Sequence, residues 1–171
     1  MNVYPFNALV ARMKYISRWG LMRSSRTETL SEHTADAAIL AHTLCLVAQK
    51  EFGRNVRPET VAVAALYHDA SEIMTGDMPT PVKYKTEPLR RAYKALEKDA
   101  ALSMARLLPE ALRPEMEGYL TGDVLTDKEK QLLKAADRLS AYIKCIEERR
   151  AGNDEFISAE KQTRAALERC G

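Results

Sequence analysis

The stretch ETVAVAALYH, residues 59–68, is the feature that most limits how this chain can fold. At helical spacing it is apolar on nearly every side, so we expect this helix to lie in the middle of the core. Pro58 suits the first turn of such a helix. A central helix needs others around it, and apolar residues recur at helical spacing almost throughout the chain. The pattern therefore predicts an all-α fold.

Turn and cap signals divide the rest of the chain into further helices. Asn7 is the expected cap of a first helix that ends near Ser17, and 18–30 is predicted to be a polar loop. The pair Thr126 and Glu129 has capping-box spacing, which predicts a helix start. The further predicted helices span 31–52 before Gly53, 88–108, a short stretch ending at Tyr119, 126–152 and 154–169. The two prolines in DMPTPV, residues 77–82, predict that this segment is not helical.

Composition narrows the class of protein. No repeat or linker divides the 171 residues, so we expect one domain over 1–171. Lys plus Arg number 26 against 24 Asp plus Glu, and this balance argues against a nucleic-acid polymer or a membrane surface as partner. The three cysteines are far apart and no leader peptide or long apolar run is visible. A cytoplasmic protein with reduced thiols is therefore expected.

The chain has three histidines, His33, His42 and His68. His33 and His42 share one predicted helix, and their separation of nine positions places the two rings on opposite faces. They therefore cannot both serve one site, and His33, beside the polar loop, reaches a cleft more easily. Taken alone, each is more typical of an ordinary hydrogen-bonded or surface histidine.

Two carboxylates are unusually placed. Asp69 follows His68 where the chain leaves its most hydrophobic helix, and burying this pair is unfavourable unless both groups are paired or bind a cation. Asp137 lies in mid-helix, where aspartate has poor propensity. Taken alone, Asp137 is better explained by pairing with a nearby lysine such as Lys134 or Lys144.

Together, two imidazoles and two carboxylates from separate helices form a mixed nitrogen and oxygen set. Such a set suits one borderline divalent ion, with Mn, Co, Fe, Ni and Zn as candidates. The set comprises His33, His68, Asp69 and Asp137. In sequence order these residues read H…HD…D, which is the signature of the HD-domain phosphohydrolases. Over about residues 8–150 the chain resembles that superfamily, which implies an all-α bundle with a single metal site in its centre.

The flanking residues resemble one family more closely. The bacterial 5'-deoxynucleotidases, which dephosphorylate deoxyribonucleoside 5'-monophosphates, are similar to this chain over almost its whole length. The stretches that carry the resemblance are ISRWGLMR, SEH, YHDASEIMTGDMPTPVK and AADRLSAYIKCIEE. The resemblance also implies a homodimer and a preference for cobalt in assays. These enzymes usually continue with another helical segment where this sequence stops. If that segment covers the cleft or the dimer contact, its absence bears on substrate affinity and oligomeric state more than on the chemistry.

The resemblance implies a role for each site residue. It implies that the four H…HD…D residues bind the metal, that Glu72 and Arg18 are catalytic, and that a further set contacts the substrate. That substrate-binding set is Arg18, Trp19, His33, Asp77, Met78, Pro79 and Thr80.

Elementary chemistry is compatible with these roles. Glu72 follows Asp69 by three residues, so one more helical turn brings its carboxylate beside the metal as a general acid or base. The planar fork of Arg18 suits a phosphate. The flat indole of Trp19 can crowd the 2'-hydroxyl of a ribonucleotide sugar. Asp77 can accept a hydrogen bond from the 3'-hydroxyl of the sugar. Taken alone, Glu72 is equally typical of a solvated helix end, Arg18 of an unpaired surface arginine and Asp77 of a turn.

Two other functions are also compatible with the sequence. One is hydrolysis of another nucleotide by an HD-domain enzyme, although a two-metal phosphodiesterase needs more histidines than this chain has. The other is a non-catalytic module that senses a nucleotide or a metal. Glu72 argues against the sensor, because pure binding needs no carboxylate just outside the ligand set.

Overall fold

In a computed structural model, residues 4–170 are described, and within them the fold is helical with no β-strand. Residues 1–3 and 171, which the expected domain of 1–171 includes, lie outside the described part. The all-α prediction is confirmed. The helices of the described residues are α1 (Phe6–Val10), α2 (Leu30–Phe52), α3 (Pro58–Tyr67), α4 (Glu72–Thr75), α5 (Thr80–Lys83), α6 (Glu87–Ala105), α7 (Arg113–Thr121), α8 (Asp127–Arg150) and α9 (Ile157–Glu168). Short 3-10 turns cover Ala11–Tyr15, Glu110–Leu112 and Asp154–Phe156.

Helix α3 packs against α2 and α8 in the first of two hydrophobic clusters. Its Val61, Ala64 and Ala65 are fully buried, and their small side chains let the neighbouring helices approach closely. The expectation that α3 is surrounded on every side was wrong for one face. Val63 and Leu66 are 38% and 43% exposed, because α2 and α8 cover only the face that carries Val61.

A second hydrophobic cluster joins α1, the first 3-10 turn, α6 and α7. Met104 and Leu30 are fully buried within it, and Tyr67 and Ala70 pack into it from the end of α3. Since Ala65 belongs to the first cluster, the chain that follows it passes from one core to the other. Two packed cores therefore fix the turn after α3, where the candidate site lies.

Capping signals set the ends of the two longest helices. Thr126 and Glu129 form the predicted capping box at the start of α8. A second capping box, which was not predicted, joins Thr29 and Glu32 and starts α2 at Leu30. Each box satisfies backbone N–H groups that would otherwise have no partner, and a cap of this kind contributes about 1 kcal/mol. Gly53, in the left-handed conformation with φ of 58°, ends α2 as predicted.

Two local predictions were wrong. Asn7 does not cap the first helix: α1 begins after Pro5 with no side-chain cap and ends at Val10, where a 3-10 turn takes over. The segment 77–82 is also partly helical, because Thr80–Lys83 forms α5 with Pro81 in its first turn. A proline is tolerated there, since the first N–H groups of a helix have no intrahelical partner to lose.

Within residues 4–170, no helix has both the length and the apolar character needed to cross a bilayer.

Candidate metal centre and active site

The four residues of the H…HD…D set converge from three elements on one point. His33 lies in the first turn of α2, His68 and Asp69 follow the end of α3, and Asp137 lies in the middle of α8. Nε2 of His33 is 3.1 Å from Oδ1 of Asp137 and 3.6 Å from Oδ2 of Asp69. Nε2 of His68 is 3.1 Å from Oδ2 of Asp69 and 3.8 Å from Oδ1 of Asp137. Asp137 therefore faces the two histidines rather than Lys134 or Lys144.

The other ring nitrogens of the two histidines are also held. Nδ1 of His68 is 2.7 Å from the carbonyl oxygen of Ala65. Because a carbonyl only accepts, this Nδ1 carries a hydrogen, which leaves the Nε2 lone pair for a metal. Nδ1 of His33 is 3.1 Å from Oγ of Ser140, one turn beyond Asp137 on α8. Hydrogen bonds of this kind orient metal-binding histidines.

The geometry fits a single metal ion. One ligand atom from each of the four residues lies within 4.8 Å of all the others. Four atoms at about 2.0–2.2 Å from one ion would lie at most about 4.4 Å apart, so a small contraction is enough. Nε2 of His68 is also buried and makes no aligned hydrogen bond, although Oδ2 of Asp69 is 3.1 Å away. His42, half-buried on α2, is not part of this group, in agreement with the prediction from spacing.

The charges of the group suit a cation. Burial disfavours a charged His68, but Asp69 and Asp137 outweigh it and raise the pKa of His68 well above 6.5. Burial would raise the pKa of Asp137, but the hydrogen bond with His33 and the nearby His68 outweigh it and hold that pKa well below 3.8. The carboxylates are therefore ionised at neutral pH, and a metal ion competes with a proton for His68.

Arg18 lies against this group. Its Nη1 donates to Oδ2 of Asp69 at 3.4 Å, and its Nε donates to Oε2 of Glu28 at 3.1 Å. The side chain is largely buried. Burial opposes the charge, but Asp69 and Glu28 outweigh it and raise the pKa of Arg18 above its usual value. A permanent positive charge therefore stands next to the candidate metal ligands, where an anion would bind.

Trp19 follows Arg18 in an unusual backbone conformation. Its φ is 60°, and it is the only non-glycine residue with a positive φ among residues 4–170. Three contacts of its side chain and backbone N–H hold it there. Its indole Nε1 donates to Oε2 of Glu28 at 3.0 Å, its backbone N–H donates to Oδ2 of Asp77 at 3.3 Å, and its ring packs on Phe156 with centroids 5.3 Å apart. A bulky residue keeps such a conformation only where its surroundings hold it.

Asp77 therefore joins the two segments that were expected to contact substrate. It follows Gly76, whose φ is 77° and whose carbonyl accepts a hydrogen bond from the Tyr93 hydroxyl on α6 at 2.9 Å. Met78 and Pro79 are half-buried on the way to α5, and Thr80 begins that helix at the surface. This segment and the loop bearing Trp19 thus meet beside the metal group.

Glu72 begins α4 and is 6% exposed. Its Oε2 is buried and has no hydrogen-bond partner. Burial, with the nearby charges of Asp69 and Asp77, raises the pKa of Glu72 to about 9. A carboxyl that stays protonated at neutral pH next to a metal group is typical of a proton-transfer residue rather than of a solvated helix end.

The sequence did not indicate two residues that the structure brings to the site, Glu28 and Ser140. The signal for Ser140 was its position three residues after Asp137, on the same face of α8. No comparable signal exists for Glu28, because its contacts depend on how the loop folds back.

Comparison with known proteins places this chain in a family. A sequence model described as 5'-deoxynucleotidase YfbR-like matches residues 5–171. The 5'-deoxynucleotidase YfbR of Escherichia coli (strain K12 / DH10B) is 46% identical over 168 residues, covering 98% of this chain and 84% of that protein.

Solved structures share the fold at lower identity. An HD-domain phosphohydrolase from Listeria innocua superposes with a TM-score of 0.86 at 22% identity, covering 99% of this chain and 81% of that one. The HD phosphohydrolase DatZ of cyanophage S-2L, bound to dA and one catalytic Zn²⁺ ion, has a TM-score of 0.60 at 23% identity, covering 81% and 69% of the two chains. The predicted HD-domain architecture is confirmed.

Proposed function

Because this chain belongs to the YfbR-like 5'-deoxynucleotidase family, we propose that it hydrolyses deoxyribonucleoside 5'-monophosphates. In this reaction water attacks phosphorus, the bond from phosphorus to the 5'-oxygen breaks, and the products are a deoxyribonucleoside and inorganic phosphate. The observation that carries the proposal is the convergence of His33, His68, Asp69 and Asp137 beside a buried Glu72.

In this proposal the convergent residues hold one divalent ion. When bound, such an ion supplies positive charge that makes water more acidic and neutralises phosphate oxygens. Cobalt is the expected ion in assays, with Mn, Zn, Fe and Ni as alternatives for a nitrogen and oxygen ligand set. The relative DatZ holds Zn²⁺.

The residues around Arg18 would bind the substrate. Arg18 holds the phosphate through its guanidinium, and His33 and Asp77 lie within reach of the same molecule. Trp19 lies along the sugar and crowds a 2'-hydroxyl, so ribonucleotides bind less well. Asp77 accepts a hydrogen bond from the 3'-hydroxyl. The chain from Met78 through Pro79 to Thr80 lines the nucleotide site.

Glu72 would move the proton. Its pKa of about 9 lets the carboxyl keep a proton at neutral pH in the protein alone. That proton can be given to the departing 5'-oxygen, and the resulting carboxylate can take one from the attacking water. Glu72 and Arg18 are thus the proposed catalytic residues.

The proposal extends to domain organisation, oligomeric state and location in the cell. We expect the chain to act as one HD-type domain and as a homodimer, which light scattering coupled to size exclusion would test. The buried Cys45 and Cys145 carry free thiols, which fits the reducing conditions of the cytoplasm.

The deciding experiment is phosphate release from deoxyribo- and ribonucleoside 5'-monophosphates, with dATP and a cyclic dinucleotide included. The protein is stripped with a chelator and then supplied separately with Co, Mn, Zn or Mg. We expect release from the deoxy monophosphates that requires metal and that falls about 10²- to 10⁴-fold in Glu72→Ala. Release from dATP or the cyclic dinucleotide alone would indicate another nucleotide substrate. No release with any metal would favour a sensing module.

A further inference from the structure

Glu28 is a buried carboxylate that contacts both of the neighbouring residues expected to meet the substrate. It is 8% exposed, and one of its oxygens, Oε2, accepts from Nε of Arg18 at 3.1 Å and from Nε1 of Trp19 at 3.0 Å. A single oxygen atom therefore fixes the guanidinium and the indole relative to each other. Displacing this carboxylate would release both side chains at once.

The backbone explains why Glu28 faces these two residues. The ends of the loop over residues 17–29 pair as an isolated antiparallel bridge between Ser17 and Thr29. The N–H of Arg18 donates to the carbonyl of Glu28 at 2.9 Å, and the N–H of Leu30 donates to the carbonyl of Ile16 at 2.8 Å. Glu28 thus lies opposite Arg18 across a short two-stranded pairing, and its position does not depend on one side-chain rotamer alone.

Glu28 also decides which way Arg18 turns. Among the described residues, the guanidinium donates to Glu28 from Nε and to Asp69 from Nη1, which leaves Nη2 for a substrate. Asp69 is one of the candidate metal ligands and competes for the same arginine. Without Glu28, Arg18 can turn fully onto Asp69 and use the N–H groups that would otherwise bind phosphate.

A carboxylate at this place is unfavourable for anion binding in itself, because its charge offsets that of Arg18. Its presence is better explained by the bonds it accepts. Trp19 keeps a φ of 60°, and the Glu28 bond is one of three contacts that hold it there.

We propose that Glu28 is a positioning residue that aligns Arg18 and Trp19 together, so that phosphate capture and discrimination against ribonucleotides depend on one carboxylate. This inference rests on the proposed function. Glu28 touches neither substrate nor metal in this arrangement and acts through the two side chains that it holds.

The test uses Glu28→Gln and Glu28→Ala in the full chain. The amide of Gln can still accept the indole bond but loses the charge that holds Arg18, whereas Ala loses both. Glu32→Gln is the matched control, because Glu32 lies on the adjoining helix start and contacts Thr29 and Arg26 but neither Arg18 nor Trp19. Thermal unfolding and metal content are measured for every variant.

Trp19 provides a readout that needs no activity, because it is the only tryptophan of the chain. We expect Glu28→Ala to shift its fluorescence to longer wavelength and to increase quenching by acrylamide. Glu28→Gln should do so less, and Glu32→Gln should not. If the wild type releases no phosphate from any nucleotide but these shifts occur, the proposed function fails while the positioning of Trp19 by Glu28 stands.

Kinetics test the rest of the inference. We expect kcat/KM for deoxy monophosphates to fall about 10²-fold in Glu28→Ala, mainly through KM, with metal content unchanged. The preference for deoxy over ribo substrates should fall about 10-fold. An unchanged preference or an unchanged tryptophan signal in a folded Glu28→Ala protein would overturn the proposal, and so would an unchanged kcat/KM in a folded Glu28→Gln protein. So would equal kinetic losses in Glu28→Gln and Glu32→Gln.

Discussion

The two sides of the site are held in different ways. His33 and Asp137 lie on the long helices α2 and α8, whose apolar faces pack in the first hydrophobic cluster. Arg18 and Trp19 lie on the loop over residues 17–29, which is held by hydrogen bonds to a few buried carboxylates. Many small apolar contacts make the helical side tolerant of single changes, whereas the loop depends on each polar anchor.

The far part of this loop is anchored by Glu148 of α8. Glu148 accepts from the N–H groups of Ser25 at 2.7 Å and Arg26 at 3.4 Å, and from Nδ2 of Asn153 at 2.8 Å. Lys144 donates to Glu148 at 2.5 Å and to the carbonyl of Arg26 at 2.6 Å. The tip of the loop is thus held by Glu148, with Glu155 accepting from the N–H of Arg23 at 3.0 Å, and its base is held by Glu28 and Asp77.

On the helical side, the largest expected effect comes from Asp137→Asn. The amide keeps the shape of the side chain but removes the charge that the metal needs, so activity should fall about 10³-fold with the fold intact. Metal content by mass spectrometry and phosphate release check this. Asp127→Asn, at the exposed start of the same helix, is the control. Full metal content in Asp137→Asn would contradict the assignment of this residue as a ligand.

On the loop side, Glu148→Gln tests whether one anchor controls the whole segment. Removing one partner of a buried pair leaves Lys144 with an unpaired charge, so the free energy of unfolding should fall by about 2–4 kcal/mol. Urea unfolding measures this fall, and hydrogen exchange at Ser25 and Arg26 should accelerate. Glu147→Gln, an exposed neighbour on α8, should change neither. Unchanged exchange at both amides would mean that the contacts of Arg23 with Glu155 and Asn153 hold this part of the loop without Glu148.

The same contrast explains what the sequence could predict. The four candidate metal ligands were predicted from residue type and sequence order. The capping box at Thr126 and the end of α2 at Gly53 were predicted from local sequence signals. Glu28 contacts Arg18, ten residues away, and Glu148 contacts Ser25, 123 residues away. Neither separation corresponds to the repeat of a helix or a strand. Contacts made by a loop that folds back onto a helix end depend on the tertiary structure, so spacing does not indicate them.

Ser140→Ala tests how the helical side orients one of the two histidines. Loss of the hydroxyl frees Nδ1 of His33 without touching a ligand atom, so we expect affinity for the added metal to fall about 10- to 100-fold. Titration against a competing chelator measures the affinity. Ser158→Ala on the surface of α9 should leave it unchanged. If metal affinity is the same in Ser140→Ala, helix packing alone orients the histidine.

The smallest expected effect concerns Glu129, the counterpart of Glu148 at the other end of α8. Glu129 accepts from the backbone and guanidinium of Arg57, with the closest distance 2.6 Å to Nη2, and from the N–H of Thr126 at 2.9 Å. It therefore ties the start of α3 to the start of α8. Because the Arg57 side chain is 49% exposed, this pair should contribute less than the buried pair of Glu148.

The hydrogen bonds from Arg57 are the main cause that lowers the pKa of Glu129 from 4.5 to about 2. The folded protein thus binds fewer protons than the unfolded chain in this range, so the stabilisation is complete above about pH 4.5 and is lost as the pH falls towards 2. We expect Glu129→Gln to lower the free energy of unfolding by about 1–2 kcal/mol at pH 6, and this difference should shrink steadily towards zero near pH 2. Urea unfolding of both proteins between pH 6 and 3 measures it, with Glu147→Gln as control. A difference that stays constant over that range would show that hydrogen-bond geometry, and not the charge of Glu129, holds the two helix starts together.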